Sequence, residues 1–252
     1  MMTPMGEFNW VTADPWGLVP EPAPAATPVP VLLDPELPGT PALPLAPSTE
    51  PEFDPLIMLQ TGSPEVRGVD VYAAHGFPAS IRPVWVRTSV ARKLAAAGAR
   101  LPPGWSLVVV DGWRDPTLQE YLHQRAYAAP GLPPGFVAPA SVDPNRPAPH
   151  HTGGTVDLTL AWRDTPLGLG TSFDEFTPRA FTASLEGATD ARDLQARDLR
   201  RFLRAVMVSA GFVGLAREWW HFEYGTRLWS AVTGRPVRYR AAPRPQSDCA
   251  VL

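Results

Sequence analysis

Apolar positions along this chain recur in two periods, and the switches between them mark out its elements. From Thr155 to Leu160 the alternation is strict: Val156, Leu158 and Leu160 fall on one side, Thr155, Asp157 and Thr159 on the other. A period of two predicts a strand with one buried face, and it puts Asp157 on the polar face. Ser106–Val110 is a short apolar run that suits a buried strand and leads into Asp111-Gly112-Trp113-Arg114. Thr88–Ala97 has the spacing of a helix, with Thr88 or Ser89 as its cap and Gly98 as its stop. Asp115-Pro116 opens another helix, because Asp caps well and Pro fits the first helical position. Leu118, Tyr121 and Leu122 supply its apolar side. The longest helix is expected over 190–209, with Leu199, Phe202, Leu203 and Val206 in one stripe and Gly211 as its stop. The aromatic stretch Glu218–Tyr224 suits a strand, and residues 130–149, rich in Pro and Gly, suit a loop. Strands and helices mix without regular βαβ alternation. The class predicted is therefore α+β: one domain with a small mixed or antiparallel sheet flanked by helices.

Composition changes this picture mainly at the start of the chain. Fourteen of the 32 prolines lie in residues 1–55, a density that removes backbone donors and favours extended conformations. We divide the chain into a Pro-rich extension, 1–55, and a domain, 56–252. The extension is either disordered or laid against the domain through Trp10, Trp16 and the Val31-Leu32-Leu33 cluster. A net charge of −3 without basic runs gives no reason to expect nucleic acid or an anionic membrane as partner. The single cysteine, Cys249, excludes an internal disulfide and a cysteine metal site. No apolar run reaches the ~18 residues of a membrane helix. The N-terminus lacks the basic start and continuous apolar middle of a secretory signal, so a cytoplasmic location is expected, with the periplasm or cell envelope as the alternative.

The chemistry concentrates in two short stretches. His150 and Asp157 lie seven positions apart, and Glu218-Trp219-Trp220-His221 adds a second imidazole and another carboxylate. Two His and one Asp offer three ligands to a zinc ion and leave a fourth position open, as catalytic zinc requires. Glu218 is then free to act as a base. His151 is a rival ligand. Consecutive side chains point apart on an extended chain, so one of the pair should reach the metal, but the Gly153-Gly154 turn prevents parity from choosing between them. His75 and His123 are expected to be non-ligands. Glu218 and His221, three apart, would point to opposite faces of an ideal strand; both reach one site only if the chain turns or bulges near Trp219. Glu223 shares a face with His221 and could instead fix its tautomer. Arg114, at a strand-ending turn, offers a permanent charge to an oxyanion, or else forms an ion pair with Asp111 or Asp115.

These residues resemble the zinc D-Ala-D-Ala dipeptidases, the VanX-type branch of the M15 peptidases, over roughly residues 66–224. The run from Asp111 to Pro116 resembles that family's Asp-Gly-Tyr-Arg-Pro turn with one residue inserted. His150, Gly153, Asp157 and Leu160 resemble its first metal motif, Leu169–Asp174 a Met-Gly-x-x-Phe-Asp segment, and Glu218–His221 its second metal motif. The resemblance selects His150 over His151 and implies one zinc ion on His150, Asp157 and His221. It further implies Glu218 as general base and acid, Arg114 as transition-state stabiliser, and Asp174 as the partner of a substrate ammonium group. Tyr72 corresponds to a tyrosine near the family's pocket. The function it implies is hydrolysis of D-alanyl-D-alanine, a small dipeptide, on a hedgehog-like DD-peptidase fold. Two rivals are a D,D-carboxypeptidase or endopeptidase acting on peptidoglycan stems and a zinc-stabilised binding module without catalysis. Oligomeric state stays open. One departure is Ala148, where the family carries a serine.

Overall fold

The alternation of Thr155–Trp162 builds the central strand of a six-stranded sheet. The computed structural model describes residues 23–34, 42–45, 54–59, 65–128, 131–132, 135–141 and 143–245. In chain order the elements are β1 (Leu56–Met58), β2 (Val66–Gly68), α1 (Val71–Ala74), β3 (Trp85–Arg87), α2 (Thr88–Gly98), β4 (Trp105–Asp111) and α3 (Pro116–Ala126). They continue with β5 (Thr155–Trp162), β6 (Thr165–Pro166), α4 (Ala191–Ser209), β7 (Val213–Gly214), β8 (His221–Glu223) and α5 (Arg227–Thr233). The main path is β2-β4-β5-β8-β7, with β6 paired to β5, while β1 and β3 form a separate two-stranded ribbon. β2 runs parallel to β4 and the other pairings are antiparallel. The sheet is thus mixed, within the α+β class expected.

Packing follows the apolar stripes. Val156, Leu158 and Leu160 join Leu199, Phe202, Leu203 and Val206 of α4 and Val90 and Leu94 of α2 in one buried cluster. One expectation about β5 fails. Its polar side is buried too, with Thr155, Asp157 and Thr159 all at 2 % exposure or less. Strands lie on both sides of β5, and the loop before it covers the polar face.

Register decides what faces what. β4 pairs with β5 as Leu107↔Leu160 and Val109↔Leu158, and then a shift brings Asp111 opposite Asp157. In unbroken register Val110 would fall opposite Asp157, and Asp111 would fall opposite Val156 and point into the apolar core. The bulge moves it to the polar side, as an inserted residue must when side chains alternate.

Helix ends agree in part with the sequence. Asp115 caps α3, accepting from Thr117 N at 2.8 Å, and Asp190 caps α4, accepting from Asp193 N at 3.0 Å. Neither Thr88 nor Ser89 caps α2. Arg87 holds that position without a side-chain cap bond, and Asp54 reaches in to accept from Ser89 N at 2.9 Å. Gly98 lies inside the helix rather than after it. Parts of the Pro-rich stretch are ordered on the domain. Ala23, Leu33 and Leu43 pack against the main core, and Asp34 is buried in an ion pair with Arg217 at 3.0 Å. Val31 is exposed, and Trp10 and Trp16 lie outside the described residues. No helix among the described residues is long and apolar enough to cross a membrane.

Asp54 also accepts from the Tyr239 hydroxyl at 2.6 Å. Asp54→Ala removes a helix cap and a buried acceptor together, and should lower the unfolding free energy by about 2 kcal/mol in urea titrations. An unchanged midpoint would show that Asp54 does not hold the start of α2.

Candidate active site

The register Asp157↔His221 places two of the three expected ligands side by side on neighbouring strands. The third comes from a 3-10 turn, Pro149–Thr152, that ends at Gly153 with φ of 69°. At the next position, Gly154, a Cβ would lie 2.5 Å from the Tyr224 carbonyl oxygen. A side chain there would force the turn away from β8. His150, Asp157 and His221 are all buried, and one ligand atom from each lies within 4.8 Å of the others. His150 Nε2 is 3.2 Å from Asp157 Oδ2, and His221 Nδ1 is 3.0 Å from Asp157 Oδ1.

The outer nitrogens of the two rings decide what the inner ones present. His150 Nδ1 meets the Gly112 carbonyl at 2.8 Å. A carbonyl can only accept, so this nitrogen carries the proton and Nε2 turns a lone pair inward. His221 Nε2 meets Glu223 at 3.0 Å and its Nδ1 meets Asp157 at 3.0 Å. Without a metal the ring can therefore carry both protons and donate to both carboxylates, and a metal held here would take the place of the Nδ1 proton. The His150 lone pair, His221 Nδ1 and the Asp157 carboxylate converge in a buried site that favours positive charge, whether a proton on His221 or a metal cation. Burial opposes a proton on His221, yet bonds to Asp157 and Glu223 outweigh it and raise its basicity far above an ordinary imidazole. The surroundings are also rich in carboxylates: Asp111, Asp157, Asp174 and Glu223 are buried. The donor set and the charge therefore fit a divalent metal, and two imidazoles with one carboxylate suit zinc.

Among the described residues, this trio is the one cluster able to hold a metal, and His75, His123 and His151 are not part of it. His151 is buried in the same turn, with neither ring nitrogen hydrogen-bonded.

The turn required near Trp219 is present. His221 N reaches back to the Glu218 carbonyl at 3.4 Å, and β8 begins at His221 rather than at Glu218. Glu218 stands at the strand's entrance, its carboxylate 3.5 Å from His221 Nδ1. Burial raises its proton affinity and the charge of Asp157 adds to this, against His221, His150 and Arg114. A raised carboxylate is better matched to proton transfer near neutral pH.

Arg114 occupies the turn after β4 and does two things. Its Nε donates to Asp111 at 2.8 Å, so the expected alternative of an ion pair with Asp111 is present. Its Nη1 donates to Gln119 at 2.8 Å, and its Nη2 lies 3.5 Å from Asp157. Asp115 is instead engaged by Arg244 at 2.6 Å. Burial works against the Arg114 charge, but Tyr72, Asp111 and Asp157 overcome it and raise its pKa. Tyr72 donates to Asp174 at 2.7 Å and lies 3.4 Å from Arg114 Nη2. Asp174 sits at φ of 55°, a left-handed conformation tolerated by Asp but uncommon.

A cavity of about 310 Å³ opens onto His150, Asp157, His221, Glu218, Arg114 and Asp174, at the small end of the usual range for small-molecule sites. Sequence reasoning missed several of its walls, among them Gln119, which braces Arg114, and the arginines Arg217 and Arg227. Gln119 lies four residues after the Asp115 cap, a spacing that could have placed it beside the turn. Nothing in the local sequence marks the two arginines.

The family model described as Peptidase M15, D-ala-D-ala dipeptidase, matches residues 80–238. A D-alanyl-D-alanine dipeptidase of Synechocystis sp. is 27 % identical over 178 residues, which cover 59 % of this chain and 72 % of the relative. One from Escherichia coli is 36 % identical over 125 residues, 48 % of this chain and 55 % of its own length. One from Enterococcus faecalis is 38 % identical over 77 residues, 29 % of this chain and 35 % of its own. The chain thus spans about half or less of the last two relatives. The match of the family model across more than half of the chain, over a buried His-Asp-His cluster suited to a metal, shows that this chain belongs to the D-Ala-D-Ala dipeptidase family of M15 metallopeptidases.

Proposed function

We propose that this chain is a zinc-dependent dipeptidase that hydrolyses D-alanyl-D-alanine to two molecules of D-alanine. The observation that carries the reading is the convergence of His150, Asp157 and His221 within 4.8 Å, with the Glu218 carboxylate 3.5 Å from His221. Zinc on those three residues supplies Lewis acidity at the scissile carbonyl. Glu218 takes a proton from the attacking water and returns it to the leaving amine. Arg114, held in place by Asp111 and Gln119, offers its guanidinium to the charge that builds on the carbonyl oxygen. Asp174 receives the substrate's ammonium group, and Tyr72 positions that carboxylate through its 2.7 Å hydrogen bond. A small cavity bounded by Leu43 and Phe136 supports a small dipeptide over a peptidoglycan stem, which needs an open cleft. Comparing turnover of the free dipeptide with that of a stem pentapeptide tests this choice, and faster cleavage of the pentapeptide would overturn it. A binding module would need the ligands but has no use for Glu218.

Glu218→Gln should keep one metal per chain and lose roughly 10²–10⁴-fold in kcat; full activity in that variant would remove Glu218 from proton transfer. His221→Ala should lower the bound metal measured by atomic emission, whereas undiminished stoichiometry would remove it from the ligand set.

Burial pushes Asp174 up to about 8, against the pull of Arg114 and Tyr72. The sign of its effect on stability follows. The native state keeps a proton that the unfolded chain releases near pH 4, so stability falls as pH climbs from about 4 toward 8. In the metal-free protein, Asp174→Asn should therefore melt a few degrees higher than wild type at pH 8, with the gap closing near pH 4. With metal restored, its KM for dipeptide should rise roughly 10- to 100-fold, because the ammonium loses a charged partner. An unaltered KM would free Asp174 from substrate binding.

A further inference from the structure

A dipeptide has two charged ends, and the reading above gives only the ammonium a partner. Four arginines line the cavity: Arg114, Arg146, Arg217 and Arg227. Three of them face carboxylates. Arg114 is bound to Asp111, Arg217 to Asp34 at 3.0 Å, and Arg146 lies 4.0 Å from Asp143. Arg227 has no ion pair among the described residues. Its Nε donates to the Pro44 carbonyl at 2.6 Å and its Nη2 to the Leu43 carbonyl at 3.0 Å. Two neutral acceptors fix the orientation of the guanidinium and leave its charge without a direct ion pair among the described residues. The group is partly buried, where an unpaired cation is costly. Burial, with Arg146 also opposing the charge, outweighs the help it has from Glu223, already bonded to His221, and from Asp143.

Position matters as much as charge. Across the sheet the order is β2, β4, β5, β8. Asp174 is held by Tyr72, which follows β2, and lies on the β4 flank of the metal cluster with Arg114. Arg227 begins the helix that follows β8, the strand on the other side of β5 from β4. Leu43 lines the cavity on that side. The 42–45 segment that provides it lies outside the region matched by the family model.

We propose that Arg227, oriented by the carbonyls of Leu43 and Pro44, binds the C-terminal carboxylate of the substrate, and that Leu43 walls off that end of the cavity. This rests on the dipeptidase reading, with the ammonium on Asp174 and the scissile bond over the metal cluster. The Pro-rich segment then forms part of the substrate site. It also provides an anion anchor from the protein's own cation at a site where Ala148 contributes no hydroxyl.

The test is hydrolysis of D-alanyl-D-alanine beside its C-terminal amide, with metal content measured for each protein. Wild type should favour the free acid by at least tenfold in kcat/KM. Arg227→Gln should bring that ratio close to one, by raising KM for the acid while the amide is cleaved as before. Arg227→Lys should recover part of the preference, since it keeps the charge without the planar fork. Leu43→Gly should let a tripeptide extended at its carboxyl end be cleaved at the same bond. If Arg227→Gln slows acid and amide equally, Arg227 only holds the 42–45 segment and the proposal is overturned. A wild type that shows no preference for the acid overturns it as well. Failure of the metal-loaded wild type to cleave either compound would instead defeat the dipeptidase reading itself.

Discussion

Two imidazoles, each with its outer nitrogen committed to an acceptor, turn their inner nitrogens toward one buried carboxylate. The Gly112 carbonyl sets the tautomer of His150 and the Glu223 carboxylate sets that of His221. His150 cannot move its proton inward without abandoning the Gly112 carbonyl, which costs about 1–3 kcal/mol, whereas His221 can take a second proton and bond both Asp157 and Glu223. The arrangement is stable only around positive charge. Other local irregularities serve it: the turn that starts β8 at His221, the 3-10 turn that brings in His150, and the bulge at Val110 that faces Asp111 toward Asp157.

That bulge also explains how Arg114 comes to be held so firmly. Asp111 and Asp157 stand opposite each other across two strands, and like charges in that position repel. The guanidinium between them relieves the repulsion and is held rigidly in return. A cation fixed in this way needs little rearrangement when charge develops nearby, which is what makes such a group effective. Its neighbour Asp174 illustrates the opposite condition, a carboxyl whose proton affinity burial raises despite Arg114 and Tyr72.

Much of this was legible in the sequence, for identifiable reasons. The alternation of Val156, Leu158 and Leu160 announced β5 and put Asp157 on the correct side of it. The three-residue spacing of Glu218 and His221 demanded a turn, and the turn is there. The lateral burial of β5 was not legible, because covering its polar side depends on a loop and on neighbouring strands. Val108, Val109 and Val110 show no alternation, so nothing in the run betrays the bulge. The cap on α2 comes from Asp54, thirty-five residues before Ser89, out of reach of any local capping rule. Arg227 reads as an ordinary helical arginine until Leu43 and Pro44, more than 180 residues away in the chain, close over it.

The glycine pair before β5 sets a limit of another kind. Gly153 turns the chain through a left-handed conformation, and Gly154 lies so close under Tyr224 that no methyl group fits between them. Tyr224 follows directly on the strand that carries His221, and its backbone nitrogen donates to the Gly154 carbonyl at 2.8 Å. The spacing between the loop-borne and strand-borne imidazoles is therefore gauged by a missing side chain. Even alanine at position 154 would act as a spacer driven between the jaws of a clamp, spoiling a grip to which that residue contributes no atom.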